Sequence, residues 1–261
     1  MTATATLTPV HGTEAGSPIP FARLVRTELR KLTDTRASRW LLAAIIAATP
    51  IVIAVMLFAA KPDDLTYRKL LDYTQTPQEL LLPAIGILAM TSEWSQRTGL
   101  VTFTLVPARG RVLRAKFTAV IALGLLAIAV AFAAAALANL LGGLRHGSGS
   151  WALGGAGFGE LILVQLTVLV QGMAFGMATL VTPAALALYY VVRDLWSALF
   201  SVAALKPAAP WVDLIHAQSP LYTHDMTGTG WLQLLVAAAI WILVPLAIGV
   251  VRVSRTEVKS T

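Results

Sequence analysis

Twenty consecutive residues, Leu41 to Ala60, carry no charged side chain. As a helix rising 1.5 Å per residue they reach about 30 Å, the thickness of the hydrocarbon core of a bilayer. Further apolar stretches follow at Glu79 to Thr91, Phe117 to Leu141, Leu161 to Val181, Ala184 to Leu205 and Trp231 to Val251. Lipid offers backbone amides no water to bond, so segments of this kind are helical. The fold expected is all-α: a polytopic membrane protein of six transmembrane helices in one domain, residues 21–252. Hydrophobic residues make up 57% of the chain, charged residues only 13%, and mean hydropathy is +0.73. Too little polar surface remains for a second, water-soluble domain.

Between the apolar runs, charge is unevenly spread. Residues 1–20 are rich in Thr, Ala, Gly and Pro without an apolar core, and are expected to form a disordered tail rather than a cleaved signal peptide. Residues 21–39 read as an amphipathic interface helix. Phe21, Leu24, Val25, Leu29 and Leu32 form its apolar stripe, and Arg23, Arg26, Arg30 and Lys31 occupy the rest. The segment 92–116 holds Arg97, Arg109, Arg111, Arg114 and Lys116 against the single acid Glu93, and Arg252, Arg255 and Lys259 follow the last run. The segments 61–78 and 142–159 carry few basic residues, while 206–230 reads as an extracytoplasmic loop with short interfacial helices. Six spans with both termini inside, and 253–261 as a cytoplasmic tail, put every basic cluster in the cytoplasm, the arrangement that membranes favour. The second run is short, and the fifth carries charge.

The chain lacks the groups that most membrane chemistries need. No lysine follows a glycine, so there is no phosphate-binding Gly-x-x-x-x-Gly-Lys loop. All four histidines, His11, His146, His216 and His224, fall outside the apolar runs, so no catalytic residue is expected there. His216 and His224 with Asp213 and Asp225 match no ligand spacing, and no metal site or cofactor is expected in this chain. The formal charge of +7 resides beside apolar runs rather than on a soluble face, which argues for the lipid bilayer and against nucleic acid as the partner.

Arg193 and Asp194 stand inside the fifth run, where an ionisable group is costly unless it faces protein or water. They are either a buried structural polar site or a break between two half-helices, or one of them lines a substrate path. Gly172 and Gly176 form a Gly-x-x-x-Gly step that lets another helix approach closely, within one bundle or between two copies.

The segment from Glu93 to Lys116 resembles the cytoplasmic segment of ABC-2 type transporter permeases. That family shows an acid, a Thr-Gly step, Pro-x-Arg and a lysine opening the third span, matched here by Glu93, Thr98, Gly99, Pro107, Arg109 and Lys116. The helix before the first span, the Trp211-Val-Asp213 step and the basic tail are similar too, and the Arg193-Asp194 pair departs from the family pattern. The resemblance implies the permease subunit of an ABC exporter in a bacterial plasma membrane. Such a subunit has no ATPase site of its own, pairs with a second permease chain, and is bound by two copies of an ATP-binding subunit that carries the ATP and Mg2+. It further implies that Arg26 and Arg30, with Glu93, Arg97, Thr98, Gly99, Pro107, Arg109, Arg111 and Lys116, form the surface that the ATPase moves. The residues alone leave another reading open, a non-transporting anchor or sensor that recruits a cytoplasmic partner.

Overall fold

The computed structural model describes residues 19–96, 108–144, 147–152 and 157–255. Every regular element among them is helical. Helix α1 (Phe21–Asp34) starts behind Pro20, whose carbonyl accepts the Arg23 and Leu24 amides. Thr35 is extended and its hydroxyl accepts the Ser38 amide at 3.2 Å, an N-cap that ends α1 and opens α2 (Arg36–Ala59). The interface helix is therefore shorter than the expected 21–39, and Arg36 and Arg39 belong to the first turns of α2.

Helix α3 (Tyr67–Ser95) corrects the second span more substantially. Its first turns, polar in sequence, are helical because Thr66 caps the Lys69 amide and because three of the polar side chains turn inward. Thr74, Gln75 and Gln78 are all buried. The Gln165 amide donates to the Gln75 carbonyl and side-chain oxygens at 3.3 and 3.2 Å, and Gln78 donates to the Ala127 carbonyl at 2.9 Å. Helix α4 (Arg109–Gly143) and helix α5 (Gly157–Thr179) follow. The expected cytoplasmic segment 92–116 is thus helical at both ends.

Leu180, at φ 57°, breaks the chain after α5. Helix α6 (Thr182–Leu186) then runs through a π-helical turn, Ala187–Val192, into α7 (Arg193–Phe200), which stops short of the expected Leu205. The expected loop at 206–230 contains two short helices, α8 (Ala209–Val212) and α9 (Leu214–Thr223). Helix α10 (Gly228–Ala238), a second π-helical turn at Ala239–Leu243 and α11 (Val244–Arg255) complete the fold.

Among the described residues, four helices are long and apolar enough to cross a membrane, as in a multi-pass membrane protein: Arg36–Ala59, Arg109–Gly143, Gly157–Thr179 and Gly228–Ser254. Helix α5 is their hub, with 67% of its most apolar window buried against 17% for α2. It packs along α3 through glycines. A Cβ on Gly172 would lie 2.4 Å from the Pro83 carbonyl oxygen, and one on Gly176 would lie 3.0 Å from the Ile87 Cα. This Gly-x-x-x-Gly face is filled within the bundle, where the missing side chains let two backbones meet. Outward-facing residues on α2 such as Trp40, Ile46 and Phe58 are more than two thirds exposed, the composition of a lipid-facing surface.

Candidate functional site

Four charged side chains from three helices meet at one end of the bundle. Glu28 of α1 accepts from Lys31 at 2.7 Å and from Lys116 of α4 at 2.5 Å. Glu93, near the end of α3, accepts from Lys31 at 2.9 Å and lies 3.7 Å from Lys116. Two acids against two bases leave the junction neutral. Glu28, Glu93 and Lys116 are each only 5% exposed. Burial pulls the Lys31 pKa down, but the charge of Glu93 and the contact with Glu28 outweigh it and hold it above its ordinary 10.5. A raised lysine pKa contributes stability below 10.5 that is lost only as pH rises through the folded value, so Lys31 keeps its charge across the physiological range.

Local sequence explains how the cluster forms. Glu28 lies four residues after Leu24 and four before Leu32, on the stripe that packs α1 onto the bundle. Val25, Leu29 and Leu32 join a core with Leu113 and Phe117 of α4 and Trp94 of α3. Lys116 opens the apolar part of α4 one turn beyond Val112. Sequence reasoning named Glu93 and Lys116 but missed Glu28 and Lys31 as their partners. The available signal was a carboxylate standing on an otherwise apolar stripe.

The arginines divide into two groups. Arg109 donates to the carbonyls of Val253 and Ser254 at 2.8 and 3.3 Å, Arg252 to that of Ala178 at 2.9 Å, and Arg111 to that of Ile19 at 2.7 Å. These side chains tie the ends of α4, α5 and α11 and the start of α1 together. Arg23, Arg26, Arg30, Arg36, Arg39 and Arg114 are instead exposed, on α1 and the first turns of α2 and α4. A cleft of about 230 Å³ opens beside the junction, lined by Glu28, Lys31, Arg36, Ser92, Gln96 and Lys116. Arg97, Thr98, Gly99 and Pro107 lie outside the described residues.

Arg193 and Asp194 open α7 directly after the π-helical turn. The Arg193 guanidinium stands 5.1 Å from the centre of the Tyr189 ring, in turn 6.3 Å from Phe175 and 4.8 Å from Tyr190. The two side chains form a loose ion pair, 3.8 Å between their nearest charged atoms, with Arg193 sheltered at 16% exposure and Asp194 open to its surroundings at 64%. Arg193 also faces Glu79 of α3, whose carboxylate is met by the Tyr222 hydroxyl. This is an anchor between α3, α7 and α9. Arg193→Leu removes the cation from Tyr189 and Glu79, an interaction of about 2 kcal/mol when desolvated. It is expected to lower the unfolding midpoint of the detergent-purified protein by roughly 4–8 °C. Asp194→Asn is expected to leave the midpoint near wild type, and equal shifts for the two would show that Tyr189 does not anchor Arg193.

At the opposite end, His216 pairs with the buried capping carboxylate of Asp213, and His224 pairs with Glu160 of α5. The first pair closes the N-cap of α9 on itself, and the second ties its C-terminal end to α5. No group of three or more His, Asp or Glu positioned for a metal ion occurs among the described residues. No protein-family model matches the chain, and no curated protein matches it.

Proposed function

We propose that this chain is the permease subunit of an ATP-driven transporter of the ABC-2 type, an exporter of a hydrophobic or amphipathic substrate. It works as a pair with a second permease chain, and two copies of an ATP-binding subunit supply the hydrolysis. In this reading the basic end faces the cytoplasm of a bacterial plasma membrane. The chain crosses six times, with α3 and the α6–α7 helix added to the four long apolar helices. Two contacts support an even number of crossings. Arg111 joins α4 to Ile19 ahead of α1, and Arg109 joins it to the end of α11, so the start of α1 and the end of α11 gather on one side.

The observation that carries the reading is the junction of buried Glu28, Glu93 and Lys116 with the partly exposed Lys31, among exposed arginines. A pair of helices tied by buried charges to the start of a third moves as one body, so force applied to α1 is passed to α3 and α4 rather than lost in a loop. A membrane anchor has no need of that connection. The test is purification of the tagged chain from its native membranes into nanodiscs. An ATP-binding protein bearing a phosphate-binding lysine loop, with ATPase activity, is expected to elute with it. A preparation free of both, or one holding a kinase or regulator instead, overturns the proposal in favour of the anchor or sensor.

A further inference from the structure

The cleft of about 230 Å³ at the basic end lies in the elbow where α1 turns into α2, with the last turns of α3 as its third wall. Three bases line it, Lys31, Arg36 and Lys116, against the single acid Glu28. Both Glu28 oxygens are already met, one by Lys31 and one by Lys116, so the acid draws no further cation in. Donors, by contrast, are left over. Arg36 is exposed and makes no ion pair among the described residues. Lys31, with 37% of its side chain exposed, bonds Glu28 and Glu93 and keeps the third hydrogen of its ammonium. Ser38, only 6% exposed, accepts at its hydroxyl from Thr35 at 2.8 Å, and its own hydroxyl hydrogen meets no acceptor among the described residues. On the α3 wall, Ser92 and Ser95 donate to the Ala89 and Ser92 carbonyls at 3.2 Å each, which leaves their oxygens as acceptors.

We infer that the cleft holds the head of an anionic phospholipid. The phosphate lies against Lys31, Arg36 and Ser38, and headgroup hydroxyls donate to Ser92 and Ser95. Guanidinium, ammonium and hydroxyl groups together form a set of donors suited to a phosphate. A lipid fits better than a free anion for two reasons. Leu32, Leu88 and Ala89 make part of the lining apolar, a surface for the glyceryl carbons rather than for water. Helix α2 then leaves the cleft with Trp40 78% exposed and Ile46 71% exposed, an apolar face along which acyl chains run. Basic pockets beside membrane spans at the cytoplasmic surface lodge acidic headgroups in this way. The bound head touches α1, α2 and α3 at once and so fastens the elbow. The inference rests on the chain crossing a bilayer and not on its pairing with an ATP-binding subunit. It is measured on this chain alone, so loss of one reading leaves the other standing.

The experiment is cysteine protection in the full chain, which has no cysteine of its own. Ala37→Cys puts a thiol at an exposed position of the cleft lining, and Ala22→Cys puts one on α1 outside it. Each protein is treated with an uncharged maleimide in phosphatidylcholine nanodiscs, with and without added phosphatidylglycerol. Phosphatidylglycerol is expected to slow modification of Ala37→Cys about ten-fold, the protection given by a ligand at roughly ten times its dissociation constant. Ala22→Cys is expected to react at the same rate in both. In the Ala37→Cys chain, Arg36→Gln is expected to abolish the protection and Arg36→Lys to keep most of it. Arg30→Gln, at an exposed arginine outside the lining, is expected to keep all of it. Equal rates in the two lipids, or equal slowing at the two cysteines, would overturn the inference whether or not the arginine variants fold. Equal loss with Arg30→Gln and Arg36→Gln would overturn it in favour of diffuse surface charge. Protection by inorganic phosphate in phosphatidylcholine, as strong as that by phosphatidylglycerol, would overturn it in favour of a free phosphate.

Discussion

Lys116→Met is expected to release α1 from the bundle. The lysine is the only base that reaches the second oxygen of Glu28, at 2.5 Å, among the contacts of the described residues, and it also faces Glu93 at 3.7 Å. Without it, the Glu28 oxygen that Lys116 meets loses that base inside the protein. Leaving a buried charge without its partner costs about 3–5 kcal/mol, far more than the net worth of the intact pair, because the desolvation of the remaining ion is no longer offset. The loss is expected as a lower unfolding midpoint and as rapid proteolysis between Arg23 and Lys31, where α1 would otherwise be held. Combining Lys116→Met with Glu28→Leu removes the opposed pair and leaves Lys31 with Glu93, so most of the stability is expected to return. A double variant as damaged as the single one would show that the junction is held by packing rather than by charge.

Gly172→Val is expected to be the most damaging single substitution in the apolar interior. Its Cβ alone would sit 2.4 Å from the Pro83 oxygen and 2.8 Å from the Pro83 Cα, and both are backbone atoms that cannot rotate away. Overpacking of a close-packed interface costs about 1–3 kcal/mol, and more where the opposing atoms cannot yield. Here the two central helices must separate, and the purified protein is expected to aggregate or to unfold well below wild type. Gly176→Ala, whose nearest contact is 3.0 Å, is expected to lose less. Gly110→Ala meets nothing within 4 Å and is expected to be neutral or to gain about 0.5–1 kcal/mol from helix propensity. Thermal unfolding of the three proteins in one detergent checks the order.

The helices were readable wherever lipid-facing and buried residues are both apolar. Runs such as Leu41 to Ala60 and Trp231 to Val251 locate α2 and the α10–α11 helix to within a few residues. Reading failed where polar groups are satisfied by partners distant in sequence. Thr74, Gln75 and Gln78 look like loop residues, yet they sit inside because Gln165 and the Ala127 carbonyl meet them. The same blindness hid Glu28. Its pairing depends on Lys116, 88 residues away, and hydropathy scores a buried carboxylate as if it were wet. Arg109 and Arg111 show the reverse case, since both read as free basic groups for a partner and both are engaged with backbone carbonyls of other elements. The Arg193-Asp194 pair was visible as an anomaly, but its separation into one sheltered and one exposed charge needed the π-helical turn that sets the face of α7.

Retention of an ATP-binding protein by the exposed basic face tests the proposed transport function most directly. Tagged wild-type chain and the triple variant Arg23→Glu, Arg26→Glu, Arg30→Glu, whose substituted side chains are all exposed and spare the buried junction, are purified side by side in nanodiscs. The expected result is stoichiometric ATP-binding protein and ATPase activity with the wild type, and loss of both with a folded triple variant. Equal recovery from the two would place the partner elsewhere, and an absence of any ATP-binding protein from the wild type would contradict the proposed transport function.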